Sequence, residues 1–435
     1  MRGRYVTGKI RLQEWMVAQD TMSLFKAFAE NGEHLYFVGG CVRDAVVKDY
    51  PETYDGDFST DDIDLATNVE PTQVERLLHK NRIRVSTKGI EHGTVTAIPD
   101  NRTFQITTLR RDIKTDGRHA KVAYIDDWEE DAKRRDFTIN ALYADLSGNV
   151  YDFVNGLEDL QQGRVKFIGS ASDRIAEDYL RILRFFRFQA HYGRTKPDAK
   201  AISACKRACG ELVRLSPERI WKEFSRILTA PSPAETFKIM EEIGLIKTLF
   251  PLRSSIPHLV CLSNLEMSLS YSPDPIRRLM SFFYPDENTI PKISELLRLP
   301  KREGLRLEFL SNTVGLTYPG MGTLSLQKIL YENGPDKFRD RVLLDWVNYM
   351  QQHCEVVSDL PRLKFALGVE APKFPISGSD VLAEGIIQGQ TVGLLLREVE
   401  NWWLDESFPN RHLCVERLRF LINDGHLNQK KSSTT

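Results

Sequence analysis

Asp62 and Asp64 stand one residue apart in the stretch STDDIDLAT, residues 59–67. In an extended strand, residues two apart point to one face. The two carboxylates then project together, and Ile63 and Leu65 can be buried on the other side. Asp is depleted in strands, so the pair needs either solvent or a cation. Two carboxylates on one face can share two Mg2+ ions about 3.5–4 Å apart, and Mg2+ favours carboxylates combined with substrate phosphates. That is the chemistry of phosphoryl transfer. Asp61 points the other way and reads as a solvent residue, as do Asp55 and Asp57. Taken alone, Asp-Ile-Asp reads first as a solvated acidic loop, and its context is what changes the reading.

Upstream, HLYFVGG (34–40) is a short apolar run that ends in two glycines, a strand entering a tight turn. CVRDAVV then begins a helix. Gly39 and Gly40 let backbone approach a phosphate closely, and Arg43 can supply positive charge. Strand, Gly-Gly turn, helix and then a strand carrying Asp-x-Asp is the layout of a nucleotidyltransferase site.

Two further constellations carry chemistry. In EDYLRILRFFR (177–187), Asp178 and Arg181 are three apart and on one helix would share a face, which Arg184 and Arg187 extend. An Asp–Arg couple can accept from the amino group of cytosine or adenine and donate to the ring nitrogen or O2. Uracil and guanine present the opposite pattern and would leave groups unpaired, which a hydrogen-bonding site rejects strongly. The bland alternative is a salt bridge on a solvated helix face. In RRDFTINAL (134–142), Asp136 and Asn140 could read ribose hydroxyls, and Arg135 suits a triphosphate. Here the bland alternative is a charged helix end followed by a strand.

The elements that must position these groups change in character along the chain. The first third alternates strands and helices. DIDLAT is a strand and EPTQVERLLHKN an amphipathic helix. GTVTAIPD and TFQITTLR are paired strands joined by the turn PDNR. RDIKTDGRHAKVAYIDD reads as a polar, mobile loop, and NALYADLSGNVYDFV as a hairpin around Ser147-Gly148-Asn149. Beyond about residue 167 the pattern is helical: DRIAEDYLRILRFFRFQAHYG, then SPERIWKEFSRILT, then SPAETFKIMEEIGL. Ser216 and Pro217 form a helix entry with a capping hydroxyl. The expected class is α+β, a small mixed sheet with helices followed by an all-α remainder.

With 435 residues the chain exceeds one simple core. Its net charge of −1 excludes a globally basic nucleic-acid binder, so any RNA site must be local. The six cysteines form no disulfide framework and no zinc pattern. Cys205 and Cys209 read as structural or incidental. No stretch has the apolar length of a membrane span. The first residues lack the apolar core of a secretory signal. The expectation is a cytoplasmic chain, with an organellar transit peptide as the alternative. Oligomeric state is left open.

FVGGCVRD and DIDLAT resemble the head of the class II CCA-adding enzymes, the tRNA nucleotidyltransferases, with the bacterial poly(A) polymerases as close relatives. RRDFTINAL is similar to the family's nucleotide-binding motif, GLEDL (156–160) to its turn into the neck, EDYLRILRFFRF (177–188) to its templating helix and SPERI (216–220) to a supporting helix. The resemblance is strong over residues 34–230 and weaker beyond, where FPISGSD (374–380) looks like a tail motif.

The resemblance implies an N-terminal helical segment (1–33) and a catalytic head (34–167). It further implies a nucleotide-templating neck (168–265), a helical body (266–370) and a tRNA-binding tail (371–435). It implies Mg2+ at Asp62 and Asp64. Nucleotide contacts are implied from Gly39, Gly40, Arg43, Arg135, Asp136, Asn140, Asp178, Arg181, Arg184 and Arg187. The partners implied are CTP, ATP and the acceptor end of tRNA, with no membrane. The loop 110–127 would help the pocket change from C to A addition.

Two departures stand out. Gln105 occupies a position where the family commonly has a glutamate, which puts a third metal-ligating carboxylate in doubt. The stretch between Asp44 and Asp62 is longer than usual and reads as a solvent-exposed acidic insertion. Three rival readings remain: a poly(A) polymerase, an A-only or CC-only adder, and an RNA-binding protein with an inactive head. His92 and His119 read as structural or loop residues. Trp402, Trp403, Phe185 and Phe186 read as core.

Overall fold

The computed structural model describes residues 6–50, 54, 62–100, 102–116, 119–283, 289–353 and 360–424. The side chains of residues 112–121 and 289–290 lie outside that description, as do the fold and placement of Asp55, Asp57, Asp61, Gly117 and Arg118. The chain divides into two compact units, Met1–Gly304 and Leu305–Thr435. Among the described residues no helix is long and apolar enough to cross a membrane.

Among its described residues the first unit has ten strands: β1 (Val6–Lys9), β2 (Tyr36–Val38), β3 (Ile63–Thr67), β4 (Arg84–Ser86), β5 (Thr94–Ile98), β6 (Phe104–Thr108), β7 (Arg110–Asp116), β8 (His119–Tyr124), β9 (Leu142–Ala144) and β10 (Asn149–Asp152). Eight of them form one sheet in the order β1-β10-β9-β2-β3-β6-β5-β4. The sheet is mixed, because β3 and β6 run parallel while the other pairs are antiparallel. It is larger than the small sheet expected. The α+β class holds.

The β5–β6 and β9–β10 hairpins form as the alternation and the Ser-Gly-Asn turn predict. Two expectations are corrected. The N-terminal segment is not wholly helical, since Val6–Lys9 pairs with β10 at the sheet edge. Residues 110–124 are not an irregular loop, since β7 and β8 form a separate antiparallel ribbon. Arg111, Ile113, Val122 and Tyr124 are spaced as a strand pair requires, but the charged residues between them masked that period.

Tyr36, Val38, Ala66, Ala141, Tyr143 and Tyr151 bury one sheet face against Leu109 and Ala132. On β3, Ile63, Leu65, Ala66 and Thr67 are buried, and Asp64 alone is exposed. This strand is therefore anchored by its apolar residues and offers a single carboxylate to solvent.

The segment before β3 is not wholly solvent-exposed either. Tyr54 is 4% exposed, and its hydroxyl donates to the Leu160 carbonyl at 2.5 Å. Burial pushes its phenol up to about 12.

The helical part of this unit contains Ala171–Glu177, Leu180–Tyr192, Ala199–Ala208, Pro217–Leu228, Ala234–Glu242, Ile256–Ser268 and Pro275–Phe282. Phe185 and Phe186 are fully buried, as expected. Pro217 opens its helix in the first turn, but Ser216 makes no side-chain cap. The far end of that helix is held by Arg278, whose Nη1 donates to the carbonyls of Leu228 and Ala230 at 2.6 Å each. Arg278 in turn is paired with buried Glu266 at 2.6 Å. Orphaned carbonyls at a helix end are thus satisfied by a buried cation.

Among its described residues the second unit has helices and no strand. Its largest helices among the described residues are Thr323–Asn333, Pro335–His353, Gln390–Asp405 and Arg411–Asn423. Trp403, Val399, Leu395, Cys414 and Leu418 form a core there. Ser377 and Asp380 of the FPISGSD stretch form a reciprocal capping box on Gly378–Ala383. Trp403 is core, whereas Trp402 is only half-buried and has Arg417 over its ring.

Candidate active site

The site starts at the turn that follows β2. Gly39 has φ +78°, the left-handed region that favours glycine, and its N–H donates to the Leu142 carbonyl at 3.0 Å. The Gly40–Val47 helix begins immediately after it. A Cβ built on Gly39 would lie 3.7 Å from the Asn140 carbonyl oxygen and 3.8 Å from Arg135 Nη1. The glycine turn therefore lies against the second constellation.

Asp62 and Asp64 are both exposed, and Ile63 between them is buried. In the parallel β3–β6 pairing, Asp64 stands in register with Gln105, which is also exposed. Withdrawal from bulk water pushes the Asp64 carboxyl upward, the Arg135 charge opposes this, and Asp62 adds to the rise. The Asp62 charge thus reaches Asp64. Hard oxygen donors that repel one another suit a small divalent cation. Gln105 adds a neutral carbonyl beside them, not a third charge.

Arg135 is fixed by a residue that sequence reasoning missed. Asp131 is 1% exposed. It accepts from Arg134 Nε at 2.7 Å, from Arg135 Nη2 at 3.1 Å and from the Tyr143 hydroxyl at 2.7 Å. It also accepts from the Arg110 N–H at 3.3 Å. Burial works against its charge, but Arg135 and Arg134 outweigh burial and hold the carboxyl down at about 2. The signal was present in the i, i+3 and i, i+4 spacing of Asp131 to the two arginines, hidden within the acidic run Glu129-Glu130-Asp131.

A second network joins the remaining candidates. Arg43 is buried, and its guanidinium donates to Asp44 at 2.9 and 3.1 Å and to Asn140 Oδ1 at 2.6 Å. Asn140 Nδ2 donates to Asp136 Oδ1 at 3.3 Å. Arg184 donates to Asp136 Oδ2 from Nε at 2.6 Å. Arg187 Nη1 lies 3.0 Å from Glu223, and Arg184 Nη1 lies 3.9 Å from the same carboxylate.

Phe188 lies beneath three guanidiniums, those of Arg43, Arg184 and Arg187, at 5.2, 5.5 and 4.3 Å from its centroid. Burial opposes the charge on Asp136, but Arg184, Asn140 and Arg181 hold its carboxyl down. Burial pulls Arg187 down to about 10 despite Glu223. Asp136 and Asn140 are thus engaged by arginines, not held open towards a sugar.

The Asp178–Arg181 couple needs correction. The two residues do not share one helix. Ala171–Glu177 ends before Asp178, which adopts an extended backbone, and the next helix begins at Leu180. Asp178 Oδ1 accepts from the Leu180 N–H at 3.1 Å, and Oδ2 accepts from Arg219 Nη2 at 2.7 Å. Arg181 donates instead to the Arg174 carbonyl at 2.7 Å and to Glu177. An aspartate that accepts from the N–H two residues on forms an Asx turn, and this turn breaks what periodicity alone reads as one helix. The charge of Arg181 still reaches Asp136.

Comparison with known proteins agrees with this geometry. The poly A polymerase head domain model matches residues 35–166, and the model for a probable RNA- and SrmB-binding site of polymerase A matches residues 196–255. The human mitochondrial CCA tRNA nucleotidyltransferase 1 is 33% identical over 398 residues, spanning 89% of this chain and 86% of its own. The CCA-adding enzyme of Streptococcus sanguinis is 35% identical over 256 residues, covering 58% of this chain and 61% of its own.

The fold is shared with the Bacillus stearothermophilus CCA-adding enzyme solved with CTP, at a TM-score of 0.59 and 20% identity over 95% of this chain and 98% of that one. It is also shared with the Thermotoga maritima CCA-adding enzyme complexed with tRNA, at a TM-score of 0.58 and 18% identity over 96% of this chain and 100% of that one. With near full-length similarity to a tRNA nucleotidyltransferase, a matching head and the two networks above, the chain belongs to the family of CCA-adding tRNA nucleotidyltransferases.

Proposed function

We propose that the chain adds C, C and A to the 3′ end of tRNA from CTP and ATP without a nucleic-acid template. The observation that carries the reading is the pair Asp62 and Asp64, two exposed carboxylates that feel each other's charge beside Arg135. Residues 34–167 are assigned as catalytic head, 168–265 as neck, 266–370 as body and 371–435 as the tRNA-holding tail, with 1–33 preceding them.

In the reaction, the 3′-hydroxyl oxygen of the RNA attacks the α-phosphorus of the nucleotide. The bond from that phosphorus to the β-phosphate bridging oxygen breaks, and pyrophosphate leaves. Asp62 and Asp64 would hold Mg2+, which lowers the pKa of the attacking hydroxyl and offsets charge on the leaving group. Arg135, aimed at the Gly39 turn and locked by Asp131, supplies fixed positive charge for the triphosphate. The side-chain-free backbone at Gly39 and Gly40 leaves room for the phosphates to come close to the start of the helix that follows. Asp178 and Arg181 select cytosine and adenine by complementarity. Arg43, Asp136, Asn140, Arg184 and Arg187 form the positioning network behind them.

The test offers CTP and ATP to tRNA lacking its 3′ CCA. The reading expects two C additions and then one A, each dependent on Mg2+. ATP-only homopolymer growth would instead identify a poly(A) polymerase, and no incorporation would identify an inactive head. The cytoplasmic expectation stands against the mitochondrial name of the human relative, and fractionation of a tagged chain decides between the two compartments.

A further inference from the structure

Around the nucleotide network, carboxylates neutralise the arginines: Asp44 for Arg43, Asp131 for Arg135, Asp136 for Arg184, Glu223 for Arg187 and Asp178 for Arg219. Arg207 is different. Its Nη1 donates to Ser203 Oγ at 2.7 Å and its Nη2 to Ser172 Oγ at 3.0 Å. Hydroxyls orient a guanidinium without cancelling its charge. Among the described residues, no carboxylate forms an ion pair with Arg207 or with Lys200.

Both cations line one cavity of 590 Å³, together with Ser170, Ser172 and Ser203. The single acidic residue in its wall is Asp198. Its Oδ1 accepts from the Lys200 backbone N–H at 3.1 Å and keeps its charge, so the two cations leave the wall with one net positive charge. The wall comes from two separate stretches of chain, residues 167–172 and 198–207, and the Arg207–Ser172 bond joins them. No lining residue belongs to the Asp62–Asp64, Arg135 or Asp178–Arg181 groups, so the nucleotide does not account for this charge.

Two cations free of ion pairs, outnumbering the one carboxylate and accompanied by hydroxyls, match a tetrahedral oxyanion, which takes charge from the cations and hydrogen bonds from the serines. The 198–207 wall also falls within the 196–255 stretch that carries the RNA-binding likeness. We propose that this cavity holds a backbone phosphodiester of the tRNA substrate, with Lys200 and Arg207 as its ligands. The inference rests on the reading of tRNA as substrate.

The test measures tRNA binding by the full chain across a range of KCl concentrations, with CTP and ATP binding followed in parallel. Lys200→Ala combined with Arg207→Ala is expected to weaken tRNA binding roughly tenfold and to make the log–log salt slope shallower by about one, the loss of one phosphate contact. CTP and ATP affinities should hold. Arg207→Lys keeps the charge and should keep most of the affinity.

Unchanged tRNA affinity and slope in the double variant would overturn the proposal. So would an equal loss of nucleotide affinity, which would place the effect in the fold or the nucleotide site. Inorganic phosphate binding that vanishes in the double variant while tRNA affinity stays would identify a free-anion site and also overturn it. Failure of the wild-type chain itself to bind tRNA would bring down the parent reading, an outcome distinguishable because it needs no variant.

Discussion

Arg219 Nη2 donates to Asp178 Oδ2 at 2.7 Å from a helix 41 residues further along the chain. The carboxylate proposed to choose the base, set between two helices, is therefore aimed by a partner from a third. Charged hydrogen bonds contribute about 1.5–3 kcal/mol. Arg219→Ala is expected to lower kcat/KM for CTP and ATP about tenfold to a hundredfold and to narrow the preference over UTP. Arg219→Lys should recover part of it. Steady-state kinetics with all four nucleotides checks this, and an equal loss for all four would argue for general damage.

Asp62 and Asp64 are exposed, so their removal should spare the fold. Asp62→Ala and Asp64→Ala are each expected to lower nucleotide incorporation by on the order of a thousandfold. Thermal melting should stay near the wild-type value in the absence of metal. The rise in melting temperature on adding Mg2+ should disappear in both variants, a readout independent of turnover. Gln105→Glu places a carboxylate in register with Asp64 and should lower the Mg2+ concentration needed for half-maximal stabilisation.

Asp131 gives the site a pH signature. Its folded-state carboxyl lies at about 2, below the ordinary 3.8. The stability it confers is therefore complete above about pH 4 and is lost as pH falls towards 2. The contribution is about 2 kcal/mol. Asp131→Asn should remove this part of the acid limb and cost about 3–5 kcal/mol at neutral pH, because Arg134 and Arg135 lose their buried partner. Urea unfolding at several pH values separates the two effects, and an acid limb unchanged in the variant would refute the assignment.

Glu223 sits between Arg184 and Arg187, facing them from a neighbouring helix that no short-range spacing relates to theirs. Glu223→Gln leaves Arg187 buried without a countercharge and should destabilise the chain by about 3–5 kcal/mol. A second change, Arg187→Met, removes the stranded charge and should restore much of that loss. A double-mutant cycle by thermal or chemical denaturation measures the coupling. Additive effects would mean that the 3.0 Å pair contributes nothing in solution.

Local chemistry was the legible part of this chain. The Gly39 turn, β3 with its lone exposed Asp64, and the Pro217 helix entry each follow from residue type at short range. What escaped was set by competition or distance. The Asp178 carboxylate closes a turn onto the Leu180 N–H and so splits an unbroken helical period. The β7–β8 ribbon carries charge where strands are usually apolar. Asp131, Glu223 and Arg219 act on residues that periodicity cannot relate to them, except for the short-range spacing of Asp131 to Arg134 and Arg135. Tyr54, within a stretch that reads as solvated, is buried because its hydroxyl finds the Leu160 carbonyl.

Arg278 grips the far end of the helix that presents Arg219 and Glu223. That helix is thus tethered at one end to a buried cation and engaged at the other, through Arg219, with the carboxylate proposed to select the base. A lesion at Arg278 or at Glu266, remote from every nucleotide contact, would surface in a genetic screen as a loss of accuracy at the tRNA terminus. Heritable defects mapped to such positions should not be dismissed as mere misfolding.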